Sequence, residues 1–145
     1  MSNRVKRTVF IRERIHKNVA GAVNLYRPNE DVFTSNYEEY FFHSAEVKQL
    51  WLIPRNLTKE YEFTLGLAGF QGVQYPLLPP FTISPADKLI HITPLFPFSA
   101  ERRNLELGVD HLLRAEVNSR LVDTEEIIIN GFAEETGLAY DLTTT

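Results

Sequence analysis

The chain has 145 residues, 43% apolar and 23% charged, with a formal net charge of −4; this fits one ordinary globular domain and excludes the weakly apolar, highly charged composition of a disordered protein. It has no cysteine, which excludes disulfides, thiolate nucleophiles and zinc sites built on Cys. No apolar run approaches the roughly 18–20 residues of a membrane-spanning helix, and the charges throughout residues 1–17 leave no apolar stretch of the secretory kind, so synthesis in the cytoplasm is expected.

Residues 1–45 read as an N-terminal arm, partly extended. Val5, Val9, Ile11 and Ile15 alternate with polar neighbours, and Pro28-Asn29-Glu30-Asp31 marks a turn. Ordering so long a segment costs more backbone entropy than its apolar side chains return by burial. It should therefore order only by pairing its backbone with a sheet edge, either in its own subunit or on another chain, as in strand addition. Arg4, Lys6, Arg7, Val9, Phe10, Ile11, Arg12, Arg14, Ile15 and Lys17 are the candidate assembly residues.

The arm is also one pole of an uneven charge distribution. Asp123, Glu125, Glu126, Glu134, Glu135 and Asp141 crowd the other end of the chain, and no Lys or Arg follows Arg120. Such a split suits contact between the basic end of one subunit and the acidic end of another, attraction of nucleic acid, or two solvated faces. Basic residues beside Phe10 have the makings of a single-strand binder. Glu13 interrupts the run, however, and the rest of the chain is acidic, so nucleic acid is set aside as a partner.

Residues 46–136 read as a β-sandwich core. Residues 46–53 (EVKQLWLI) begin by alternating and end apolar on both faces, the pattern of a strand entering the core beside Trp51. Pro54-Arg55-Asn56 supplies a turn, and Tyr61, Phe63, Leu65 and Leu67 then alternate with polar or small residues over 60–68. The two segments are expected to form a hairpin. From 66 to 97 glycines and prolines recur too often for a long helix; short strands fit at 81–83 and 88–93, separated by the Ser84-Pro85-Ala86-Asp87 turn.

Residues 105–121 fit two templates. Leu105, Val109, Leu112, Leu113, Val117 and Leu121 share a helical stripe, but a helix would leave Leu107 wet and put Gly108 inside. Strand alternation fits better, as two strands broken near 108–111. Ile127-Ile128-Ile129 is apolar on both faces and is placed centrally, returning antiparallel beside the 113–121 strand. Residues 137–145 are expected to fray. The whole is predicted to be mainly all-β, an antiparallel β-sandwich or jelly roll with an extended N-terminal arm.

No catalytic, metal or cofactor constellation emerges. His16, His43, His91 and His111 lack metal-ligand spacing. The pairs Glu38-Glu39, Glu125-Glu126 and Glu134-Glu135 read as solvated edges, since neighbours on a strand point to opposite faces. No nucleophile elbow, phosphate loop or dinucleotide fingerprint occurs, so an enzyme is not expected. Trp51, Tyr61, Tyr75 and Phe81 offer an alternative, a sugar platform in a carbohydrate- or ligand-binding β-sandwich module.

Residues 101–135 carry a resemblance. Arg114, Glu116, Val117 and Asn118, a polar turn, and then Ile127, Ile129, Gly131 and Phe132 resemble the closing strands of β-sandwich accessory proteins of tailed-phage virions. The resemblance spans about a quarter of the chain and includes no diagnostic motif. It implies a capsid decoration or cement protein, or a head-tail component, made in the host cytoplasm and located in the virion. Its implied partners are further copies of itself, the major capsid protein or another virion protein, with no membrane.

Overall fold

The computed structural model describes residues 3–27, 40–68, 74–76, 79–92, 105–108 and 112–139. Alternation produces strands wherever it is strong. In β4 (Tyr61–Ala68), Tyr61, Phe63, Leu65 and Leu67 are buried while Glu62 is exposed. In β9 (Leu112–Val117), Leu113, Ala115 and Val117 are buried in the same rhythm. Residues 105–121 thus resolve as two strands, β8 (Leu105–Gly108) and β9, with no helix in the described part.

The remaining strands are β1 (Asn3–His16), β2 (Ala22–Tyr26), β3 (Tyr40–Arg55), β5 (Gln74–Pro76), β6 (Phe81–Ile83), β7 (Ile90–His91) and β10 (Glu126–Ala139). They form two five-stranded sheets. One runs β1-β10-β3, with β7 and β8 both on the far side of β3; the other runs β2-β9-β4, with β5 and β6 both on the far side of β4. Every pairing is antiparallel. The pairs β1 with β10, β2 with β9, β3 with β8 and β4 with β5 are nested, as if one long hairpin had been rolled up. That nesting is the jelly-roll form of the sandwich.

This topology revises several sequence expectations. Residues 46–53 and 60–68 do not form a hairpin: β3 and β4 lie in opposite sheets, and the chain crosses between them through Asn56, which takes a left-handed φ of 58°. Likewise β10 sits between β1 and β3 rather than beside β9, and the crossover contains Asp123 at φ 52°. Alternation assigns a face but not a partner, and consecutive strands in opposite sheets carry the same pattern as a hairpin. Of the expected strand at 88–93, the described residues 88–92 hold strand only at Ile90–His91.

The first strand is built into this roll. β1 pairs with β10 along its whole length, from Asn3 opposite Ala139 to His16 opposite Glu126, and Ile11 and Ile15 are fully buried. The backbone partners of β1 therefore come from its own chain. Strand also crosses both expected borders of the core, since β3 begins at Tyr40 and β10 ends at Ala139. The turn at 28–31, together with Val32, Phe33 and residues 140–145, lies outside the described residues.

Trp51 does not enter the core. The β3–β10 register shifts between Phe132 and Ala133, so Lys48 is the extra residue of a bulge, and Val47 and Leu50 both point inward. Leu50 and Leu52 are buried and Trp51 is left half-buried on the outer face. Gly131 makes this bulge possible. A Cβ there would stand 2.2 Å from the Gln49 carbonyl oxygen and 3.0 Å from Leu50 Cδ1, the first of these inside any tolerable contact.

At one end of the sandwich, three connections cross between the sheets. The Glu125 carboxylate binds two of them together. It accepts hydrogen bonds from the Thr58 N–H at 2.8 Å, the Thr58 hydroxyl at 2.9 Å, the Tyr61 hydroxyl at 2.5 Å and the Val122 N–H at 2.9 Å. Burial alone would raise its pKa, but these donors outweigh that effect and hold it at about 2. Burial, reinforced by the same carboxylate, pushes the Tyr61 hydroxyl well above the ordinary phenol range. The third crossover is tied by the Val117 N–H donating to the Gly21 carbonyl at 2.7 Å.

Two outcomes follow from these contacts. Gly131→Ala should destabilise by about 1–3 kcal/mol, as overpacking does, read as a lowered denaturant midpoint. Glu125→Gln should cost on the order of 3 kcal/mol at neutral pH, a melting temperature lower by roughly 10 °C. Because the folded pKa is depressed, the native carboxylate's contribution is complete above pH 4.5 and drains away as pH falls toward 2. Thermal melts between pH 6 and pH 2 should therefore show the two proteins converging, as the native chain loses what the variant already lacks.

Candidate assembly surface

β1 is the outer strand of its sheet, and among the described residues only β10 pairs with it. Its two faces differ sharply. Arg7, Val9, Ile11, Glu13 and Ile15 share the inward parity; Lys6, Thr8, Phe10, Arg12 and Arg14 share the outward one. The candidate assembly residues therefore split. Ile11 and Ile15 are core, and Val9 packs against the core. Phe10, 65% exposed, stands on the outer face with Lys6, Arg12 and Arg14, while Lys17 lies exposed just past the strand. Arg4 is paired opposite Leu138 in the ladder.

The outward residues continue across the sheet in register. Phe10 lies opposite Phe132; Arg12 opposite Asn130, then Trp51, then His91; Arg14 opposite Ile128, then Ile53. Trp51 and His91 are stacked, with ring centroids 5.4 Å apart and planes 18° apart, and the His91 ring is hydrogen-bonded to the Gln49 side chain. The Arg12 guanidinium lies over the Phe10 ring, 5.5 Å from its centroid. Ion pairs border the aromatic centre: Lys6 with Glu134 at 3.4 Å, Lys48 with Glu46 at 2.7 Å, and Arg14 with Glu126 at 3.3 Å. The Glu46 hydrogen bond outweighs desolvation and holds Lys48 above the usual lysine range.

A groove of about 280 Å³ opens between the β1 and β2 edges, lined by Val9, Phe10, Arg12, Glu13, Leu25, Tyr26, Arg27 and Glu135. At its floor the fully buried Glu135 accepts from Arg7 Nε at 2.8 Å and from the Tyr26 hydroxyl at 2.5 Å. These contacts join β10 to its neighbour in the same sheet and to the facing sheet. They also correct the view of the carboxylate pairs as solvated edges, because one member of each described pair, Glu125 and Glu135, is buried. The signal was present in the sequence: Ile127, Ile129, Gly131, Ala133, Glu135 and Gly137 all share one parity, and all are buried. Glu38-Glu39 lies outside the described residues.

The proposed sugar platform does not come together. Tyr61 is fully buried, Phe81 packs on Phe63 with centroids 5.3 Å apart, and only Trp51 reaches the outer face; the Tyr75 side chain lies outside the described residues. Among the described residues no group of three or more His, Asp or Glu side chains is arranged to hold a metal ion. His16 and His91 stand apart, and the His43 and His111 side chains are outside the described residues. No described helix is long and apolar enough to cross a membrane.

No protein-family model matches the chain, and no curated protein matches it. Among solved structures it is similar to one of desmodium yellow mottle tymovirus, with a TM-score of 0.48 and 11% identity, over 99% of this chain and 93% of that one. It is also similar to a turnip yellow mosaic virus structure, with a TM-score of 0.38 and 12% identity over all of both chains. A structure of infectious bursal disease virus, Gx strain, shares 7% identity at a TM-score of 0.40, over 94% of this chain and 38% of that one. Likenesses this distant carry no statement about what the chain does.

Proposed function

We propose that this chain is a non-enzymatic structural protein of a virion, binding neighbouring subunits through β1 and its sheet edges. The observation that carries the proposal is the position of β1: a strand of 14 residues at the border of a sandwich whose interior is filled by its own side chains. An edge of that length offers a row of backbone donors and acceptors to another chain. The jelly roll is among the architectures that build viral capsids, and it also builds lectins and cupins, so topology alone does not choose between them. Against a ligand-binding module stands the dispersal of Trp51, Tyr61 and Phe81, the described aromatics of its would-be platform.

The finer assignment, to a capsid decoration or cement protein or a head-tail component, rests on the resemblance of residues 101–135. Its matched residues occupy β9 with the turn after it and β10, which lie in opposite sheets. On this assignment the partners are further copies of the chain, the major capsid protein or another virion protein, and the place is the virion.

Deleting the first strand would not test this, because Ile11 and Ile15 would leave the core with it. Adjacent proline substitutions do. Of Thr8→Pro and Val9→Pro, one removes an N–H bonded to β10 and the other an N–H pointing off the edge. The first should lower the melting temperature. The second should lower it less, and abolish self-association in sedimentation velocity or binding to purified particles. A native chain that stays monomeric and binds no particle would end the proposal.

A further inference from the structure

We propose that the outward face of the β1-β10-β3 sheet binds single-stranded nucleic acid, with Phe10 and Trp51 as stacking platforms and Arg12, Arg14 and Arg55 meeting phosphates. In the linear sequence Glu13 breaks the basic run, which argued against such a partner. The fold removes that objection. Glu13 has the inward parity, so its side chain leaves β1 on the side opposite to those of Arg12 and Arg14, although Phe10 and Arg12 also border the groove that Glu13 lines.

The charge count on the face favours an anion. Lys6 and Lys48 are matched by Glu134 and Glu46. Arg14 and Arg55 share the single carboxylate of Glu126, at 3.3 and 4.0 Å, and Arg12 has no acidic partner among the described residues. Among the described side chains, a chain of net charge −4 thus carries one face with cations in excess. Those cations lie beside exposed ring surface, namely Phe10 at 65% exposure and the Trp51–His91 stack two strands away, roughly 10 Å at ordinary strand spacing. Arg12 over Phe10 and His91 against Trp51 each occupy one ring face, so a base would stack on the other; every base has a π-face, and cations set among such rings suit an unpaired strand whatever its sequence. A duplex keeps those faces stacked inside, and an acidic peptide would use the arginines but leave the rings idle.

The full chain should be titrated against a fluorescently labelled oligothymidylate of about 12 nucleotides, within the site sizes of single-strand binders. Anisotropy should rise at low salt and binding should weaken steeply as salt increases. Trp51, the only tryptophan, should report stacking by quenching. Phe10→Ala and, separately, Arg12→Glu should each weaken binding about 10-fold or more without lowering the melting temperature. Lys59→Glu, exposed and just before β4 of the other sheet, should change little. Arg12→Glu reads the same face if Phe10→Ala folds poorly. Absence of binding at low salt, native affinity in both face variants, or equal affinity for a duplex or for polyglutamate would each overturn the proposal.

Discussion

The pairing of the first strand with the last is the constraint on which the rest of the structure depends. β10 is central only because β1 covers one of its edges while β3 covers the other, and its inner row of Ile127, Ile129 and Ala133 is sealed between them. Without β1, fourteen residues of backbone ladder would open and Ile11 and Ile15 would leave the interior. A sandwich closed by its chain ends gathers much of its stability from contacts distant in sequence. Little of it can form before the last strand is available.

The two buried glutamates mark where that closure is fastened. Burying a carboxylate is costly unless charge partners or donors surround it, and both are so supplied. Glu125 collects four donors, three from two crossovers and one from Tyr61 at the start of β4, whereas Glu135 meets Arg7 from the neighbouring strand and Tyr26 from the facing sheet. An apolar residue at either place would leave the opposing tyrosine hydroxyl without this acceptor. That asymmetry gives the carboxylates a greater effect on which strands meet than on how much surface is buried.

How much of this was legible in the sequence follows from what alternation encodes. Tyr61, Phe63, Leu65 and Leu67 announced β4, and the conflict between Leu107 and Gly108 on a helical stripe correctly pointed to strands at 105–121. Partnership was not legible. The turn residues after Ile53 suit a hairpin and an inter-sheet crossover equally, and the bulge at Lys48, which turned Trp51 outward, depends on a close backbone approach at Gly131 that appears only in three dimensions. That residues 3–16 form a strand was readable from their alternation. That β10 of the same chain would supply the edge they pair with was not, because the choice between pairing within the chain and between chains depends on which edge lies nearest.

The candidate surface shows the same limit from the other side. Ten arm residues were grouped by proximity in sequence, yet a strand separates neighbours by sending them to opposite faces. Ile11 and Ile15 hold β1 in place; Phe10, Arg12 and Arg14 are what it shows outward; Glu13 guards the gap to β2. An inward-pointing charge on a border strand also discourages indiscriminate pairing with other edges. β1 can therefore close its own sandwich and still present a selective surface, because the two tasks fall on residues of opposite parity.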